Sequence, residues 1–290
     1  MPKTKPLSET PPHRVGSDAP FYVGLVIIGG FYAGLIVAML LADVAYMRGW
    51  ESVVDSAEHP LWAIFVNNPL GKALAQPEIR YSIRLSLLAS TASAILSLWV
   101  AVPVGYLLSR HEFFGKNFLD ALLDIPIVLP PLVVGLSLLI LFQFAPEALR
   151  ERVVYEIPAV ILAQFAVACA FAVRTMRATF DQIDQRREQV ALTLGCTRFQ
   201  AFGRVVLPET KGGLITAATL AWARSLGEFG PLLVFAGATR FKTEVLSTTV
   251  FLELSIGNLK QAVAVSLLMV VAALVVLVVT RLWGSGKLTL

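Results

Sequence analysis

The order of apolar and polar positions divides the chain into long uncharged runs separated by short charged ones. Five runs contain no Asp, Glu, Lys or Arg: Phe21–Ala42, Leu85–Ser109, Ile125–Pro146, Ile157–Val173 and Gln261–Thr280. A helix rises about 1.5 Å per residue, so crossing a hydrocarbon core of about 30 Å takes about 20 apolar residues. A sixth stretch, Gly212–Thr239, is long enough but is interrupted by Arg224 and Glu228. The pattern predicts an all-α integral membrane protein with six transmembrane helices, over about 21–45, 82–109, 121–145, 157–176, 212–238 and 260–282. The first run is longer than the apolar core of a secretory signal and no A-x-A site follows it, so it is expected to remain as a helix. Segments 1–20 and 283–290 read as tails, the first proline-rich and flexible.

Composition agrees with this reading. Hydrophobic residues make up 56% of the 290 and charged residues 15%, whereas soluble domains run at about 45–50% and about 25%. That excludes an ordinary cytosolic enzyme. Two cysteines, Cys169 and Cys196, exclude a disulfide scaffold and a cysteine metal site, and His13, His59 and His111 are scattered in polar segments. The net charge of +4 is too mild to point to nucleic acid. Its distribution is more informative. Loops 1–20, 110–124, 174–211 and 281–290 hold 14 Lys/Arg against 9 acids, while 43–84, 147–156 and 240–260 hold 9 against 10. Positive-inside reasoning therefore places both termini in the cytoplasm. In the external segment 43–84, Trp62 and Phe65 mark a short apolar piece expected to lie at the membrane interface.

The cytoplasmic segment 177–211 contains two short helical patterns. Asp181–Leu194 has no Pro or Gly and stops at Gly195, a residue that tolerates the left-handed conformation at a helix end. Thr197-Arg-Phe-Gln200 then matches a capping box. Phe199, Phe202, Val205 and Val206 follow at helical spacing, and Leu207-Pro208 is expected to end the element. Such an apolar knob suits a partner protein, and equally an amphipathic loop lying on the inner leaflet.

The order Gln189-Val-Ala191, Gly195, Val205-x-Leu207-Pro208 resembles the EAA loop of permease subunits of bacterial ABC importers. Counted back from Gly195, the family's glutamate position holds Gln189, and Glu188 stands one place earlier. Ser82–Leu87, Leu122–Pro131 with Val134-Gly135, and Ala223–Gly230 are similar to the molybdate, tungstate and sulfate permeases, so the resemblance runs from about residue 79 to 282. It implies the importer permease fold, with cytoplasmic coupling helices that dock on a separate ATP-binding cassette ATPase. The residues carried over for that docking are Glu188, Gln189, Ala191, Gly195, Phe199, Phe202, Leu207 and Pro208. It also implies a second permease chain, taken as a copy of this one, an external solute-binding protein, surrounding membrane lipid, and ATP and Mg held by the ATPase rather than by this chain. The implied cargo is an oxyanion, molybdate or tungstate first and sulfate second. Importers of ferric iron or a polyamine remain open, and an intramembrane enzyme or scaffold is the remote alternative.

Arg224 and Glu228 lie one helical turn apart at membrane depth, where charge is costly. Two readings are open: a structural ion pair, or a pair facing a translocation path, with Gly227 and Gly230 allowing close approach or local unwinding. Pro126, Pro130 and Pro131 predict a broken helix in the third span, placing Pro130 and Pro131 among the path candidates. Arg80 and Arg84, at the external end of the second span, read as snorkelling to headgroups, with docking of an external partner as the other reading. Gly284-Ser-Gly286-Lys287 lacks the first glycine and the hydroxyl residue of a phosphate loop, and no catalytic or metal constellation is visible. The chain is therefore not expected to hydrolyse ATP.

Overall fold

A computed structural model describes residues 19–48 and 69–284. The expectations for the two tails beyond these residues, for Trp62 and Phe65, and for Gly286-Lys287 lie outside them. The centre of the molecule is the pair α3 (Pro77–Arg110) and α7 (Ile157–Asp181), which pack more extensively than any other two described helices. Their contact is built from small side chains. The buried face of α3 carries Ser82, Ser86, Ser90, Ser93 and Ser97, and that of α7 carries Ala159, Ala163, Ala168 and Ala172. Between helices in a bilayer, small residues permit close backbone approach. The hydroxyl of Ser93 donates to the Ile161 carbonyl at 2.9 Å, closing the contact with a hydrogen bond. The opposite face of α3 exposes Leu88, Ile95 and Trp99, so this helix is polar inside and apolar outside.

α11 (Lys211–Leu226) packs against both central helices and completes a core that includes Leu108, Met176, Phe180, Ala217 and Leu226. The 30-residue α1 (Ala19–Arg48) rests mainly on α13 (Leu259–Gly284) at the edge of the bundle. The remaining helices are α2 (Pro69–Ala75), α4 (Lys116–Val128), α5 (Pro131–Gln143), α6 (Glu147–Val153), α8 (Gln185–Thr193), α9 (Arg198–Ala201), α10 (Leu207–Glu209) and α12 (Leu246–Ser255). α3 starts at Pro77, five residues before the expected position, because Pro77 takes the first helical turn, where no amide donor is needed.

Two spans depart from continuous helices. α4 and α5 are bent by 112° across Leu129-Pro130, as the proline cluster predicts. The stretch 212–238, expected as one helix, is a correction: α11 ends at Leu226, capped by Gly227, and a π-helical turn, Leu232–Ala236, follows a break. Residues 227–229 leave the helix and helical geometry resumes at Gly230, so Pro231, which supplies no amide donor, falls in the first turn of the new segment where that donor is not needed. Sixteen residues of α11 rise about 24 Å, short of the bilayer core. Among the described residues, α1, α3, α7 and α13 are each long and apolar enough to cross a membrane, and the bent α4–α5 pair makes a fifth crossing if taken as one span.

Candidate functional site

The loop after α7 is shaped by local chemistry. Asp184 caps α8, its carboxylate accepting from the Arg186 amide at 2.9 Å. At the other end Gly195 adopts φ +89°, the Gly195 amide donates to the Leu192 carbonyl at 3.0 Å, and the Cys196 amide donates to Ala191 at 3.1 Å. These two bonds form a Schellman closure, which requires the left-handed residue between them. α9 then opens on the expected capping box: the Thr197 amide donates to Gln200 Oε1 at 2.9 Å and the Gln200 amide to Thr197 Oγ1 at 3.3 Å. The helix does not stop at Leu207-Pro208. It widens into a π-helical turn, Phe202–Val206, and continues through Pro208 only to Glu209, the widened turn being where a residue without an amide donor can follow helical backbone.

The loop divides into an inner and an outer face. Leu194 and Phe199 are 79% and 83% exposed, Val190 is exposed beside them, and Gln189 also faces outward. Phe202 is a correction to the expected knob, for it turns inward. Its ring lies 4.8 Å from Tyr106 and 6.3 Å from Phe180, edge-on or tilted, an arrangement favoured between aromatic quadrupoles. Glu188 is buried against the same place, accepting a hydrogen bond from the Tyr106 hydroxyl, with Arg110 Nε at 3.7 Å. Arg110 also donates to the Ile183 carbonyl at 3.0 Å, and Arg187 pairs with Glu209 at 2.6 Å. Ala191 is buried and Leu207 half-buried. Glu188 thus anchors the loop to the end of α3 while Gln189 does not. The sequence reading missed Tyr106 and Arg110, although their four-residue spacing at the end of an uncharged run was a usable signal.

The second cluster forms where the two broken spans meet. Gly230 abuts Pro131, and a Cβ on it would lie 2.8 Å from the Pro131 Cβ. In return Gly135 abuts Pro231, where an added Cβ would lie 2.6 Å from Cα. Each break therefore fills the gap left by the other, with Pro130 capping α5 at the junction. Gly227 is looser, since a Cβ there would meet its nearest neighbour at 3.6 Å, an ordinary contact, so close approach needs Gly230 and not Gly227. Just before the junction Arg224 Nη1 reaches Glu228 Oε2 at 2.9 Å. The carboxylate is almost fully buried and the guanidinium half-exposed, with its carbon 5.6 Å above the Phe171 ring, within cation–π range. Ser247 Oγ donates to the Glu228 carbonyl at 2.7 Å and ties the break to α12.

α4 carries no fully buried residue. Two ion pairs hold it to α7: Asp124 with Arg174, whose Nε donates at 2.6 Å, and Asp120 with Arg177. In the sequence these four residues are only loop charges, since nothing local pairs residues 50 or more positions apart.

A bundle of apolar helices, two of them broken at a shared junction, with an anchored helical loop displaying apolar side chains, defines a membrane-embedded transport subunit. The chain belongs to the family of binding-protein-dependent transport system inner membrane components, whose family pattern matches residues 101–284. It is 30% identical over 257 residues to the sulfate transport system permease protein CysT of Salmonella typhimurium, covering 87% of this chain and 91% of that one. It is 36% identical over 182 residues to the molybdate/tungstate transport system permease protein WtpB of Pyrococcus furiosus, covering 61% and 70% respectively. A chain in the crystal structure of a bacterial alginate ABC transporter, in complex with an alginate pentasaccharide-bound periplasmic protein, shares the fold. Its TM-score is 0.58, at 17% identity over 86% of this chain and 93% of that one.

Proposed function

We propose that this protein is the transmembrane subunit of an ATP-driven importer carrying a tetrahedral divalent oxyanion into the cytoplasm, molybdate or tungstate first and sulfate second. Two copies form the path in six spans each, with α11 and the segment up to Gly237 together making the fifth crossing and both termini in the cytoplasm. A solute-binding protein delivers cargo outside. A separate ATPase, holding ATP and Mg, docks on the outer face of the 177–211 loop. The kinship with sulfate and molybdate/tungstate permeases supports the cargo class, and the alginate complex is a precedent for the external partner.

The observation that carries the reading is the Arg224–Glu228 pair beside the junction of the broken spans. Arg224 offers positive charge to a passing anion from a half-exposed position, and Glu228 keeps that charge from becoming a trap. The test is uptake of labelled molybdate, tungstate and sulfate into vesicles containing the permease, its ATPase and its binding protein. ATP-dependent oxyanion uptake is expected. Transport of ferric iron or a polyamine, with no oxyanion uptake, overturns it. Reporter fusions at Leu290 and in loop 240–260 test the topology, and an external Leu290 defeats it.

A further inference from the structure

We propose that the pocket between the first turns of α3 and Phe241 binds the phosphodiester headgroup of an anionic phospholipid, whose acyl chain lies along the outward face of α3. The pocket, about 240 Å³, is lined by Pro77, Arg80, Tyr81, Arg84 and Phe241. Arg80 donates to the Ala75 carbonyl at 3.2 Å, and neither Arg80 nor Arg84 has a carboxylate partner among the described residues. Their neighbours differ: Arg240 is engaged by Glu253 and Glu78, and Lys242 by Glu156. The two cations left over stand one helical turn apart on one exposed face, suited to clasp a single phosphate with charge-assisted hydrogen bonds.

The wall opposite them is rigid. Phe241 sits at φ +60°, costly for a residue with a side chain, and is held there by its surroundings. The amides of Lys242, Thr243 and Glu244 all donate to the Thr239 carbonyl, Tyr81 donates to the Lys242 carbonyl at 3.1 Å, and the Tyr81 and Phe241 rings lie 6.0 Å apart.

Depth and polarity select the ligand. Arg84 is the last charge before the uncharged run Leu85–Ser109, which places it at the headgroup boundary. Below it, on the same face, Leu88, Ile95 and Trp99 are exposed. The 15 residues from Arg84 to Trp99 rise about 22 Å, more than one leaflet's share of a core of about 30 Å. No lining side chain is acidic, so a zwitterionic headgroup finds no carboxylate for its amine, and an anionic lipid is preferred. A soluble oxyanion would leave the apolar track unused.

The test is native mass spectrometry of the assembled transporter, released from nanodiscs containing equal phosphatidylglycerol and phosphatidylethanolamine. The wild type is expected to retain phosphatidylglycerol over phosphatidylethanolamine. Arg80→Gln with Arg84→Gln lowers retention about tenfold. Phe241→Gly, which relieves the strained backbone and opens the wall without touching a charge, lowers it as well. Equal retention by wild type and both variants overturns the site. So does displacement of the lipid by free molybdate or sulfate, which would make the pocket an oxyanion site. Unchanged lipid retention with lost capture of the binding protein assigns the surface to that partner instead.

Discussion

Arg224 meets a carboxylate and an aromatic face with one guanidinium, so its removal strands Glu228 in a buried place. Arg224→Gln alone leaves the buried Glu228 carboxylate uncompensated and is expected to cost about 3–5 kcal/mol, whereas Glu228→Gln frees a half-exposed guanidinium and should cost less. The double variant removes both charges, and its melting temperature should recover most of that loss. If the guanidinium also eases an anion through, the recovered protein transports at least about tenfold more slowly, as the loss of one good charge interaction implies. Full uptake by a stable double variant would make the pair a structural lock. On the loop, Phe199→Asp should change stability by less than about 0.5 kcal/mol, as for exposed sites generally, yet abolish copurification of the ATPase. Phe202→Asp should instead destabilise by about 2 kcal/mol or more, because it buries a second carboxylate beside Glu188 and Tyr106. Normal ATPase capture by Phe199→Asp would move the docking face elsewhere. Gly195 and the Thr197–Gln200 box were legible in the sequence because neighbours a few residues away set their geometry. The inward turn of Phe202 was not, since it answers to Tyr106, far away in the chain.

The elements differ in how openly they declare themselves. Three prolines announced the bend between α4 and α5, whereas after α11 Gly227 and Gly230 signalled unwinding only as one of two readings, because hydropathy sums do not register where a chain stops being helical. The mutual fit of Gly230 on Pro131 and Gly135 on Pro231 explains why both breaks persist. Gly230→Ala forces a contact that real Cβ atoms avoid and should cost about 1–3 kcal/mol as overpacking. Gly227→Ala, with 3.6 Å of clearance, should be tolerated, and thermal unfolding of the two purified variants decides the comparison. α3 was located by its lack of charge, but its serine-lined inner face was invisible to a reading that expects apolar residues inside. In lipid the outer face has no need of polarity, and the inner face needs small side chains more than greasy ones.

For the whole molecule, the number of apolar runs gave the bundle's outline, while the links between runs emerged only in three dimensions. One such link lies in the segment joining the π-helical turn Leu232–Ala236 to α12, where Glu244 is buried. Loss of water raises its carboxyl pKa above the ordinary value, opposed by a hydrogen bond from Thr249 and by Arg240, and reinforced by Glu253 and Glu78. The folded state then holds this proton more tightly than the unfolded chain does. Its stabilisation is present in full below the ordinary glutamate range and is lost as pH rises through the folded value. Glu244→Gln, neutral throughout, should flatten the fall in melting temperature that sets in as pH rises above the ordinary glutamate range, and an unchanged pH profile would refute the assignment. A different balance governs α4, which has no fully buried residue: two carboxylate–guanidinium pairs tie it to α7 beyond a 112° bend, and Leu119 and Leu123 rest half-buried against the core. Loosening α4 would separate these charges as well as uncover the two leucines, and only the first of those costs is screened by dissolved ions. The grip of α4 should therefore weaken as ionic strength rises, down to what the leucine contacts hold, which makes dissolved salt a control on this part of the protein that the lipid does not supply.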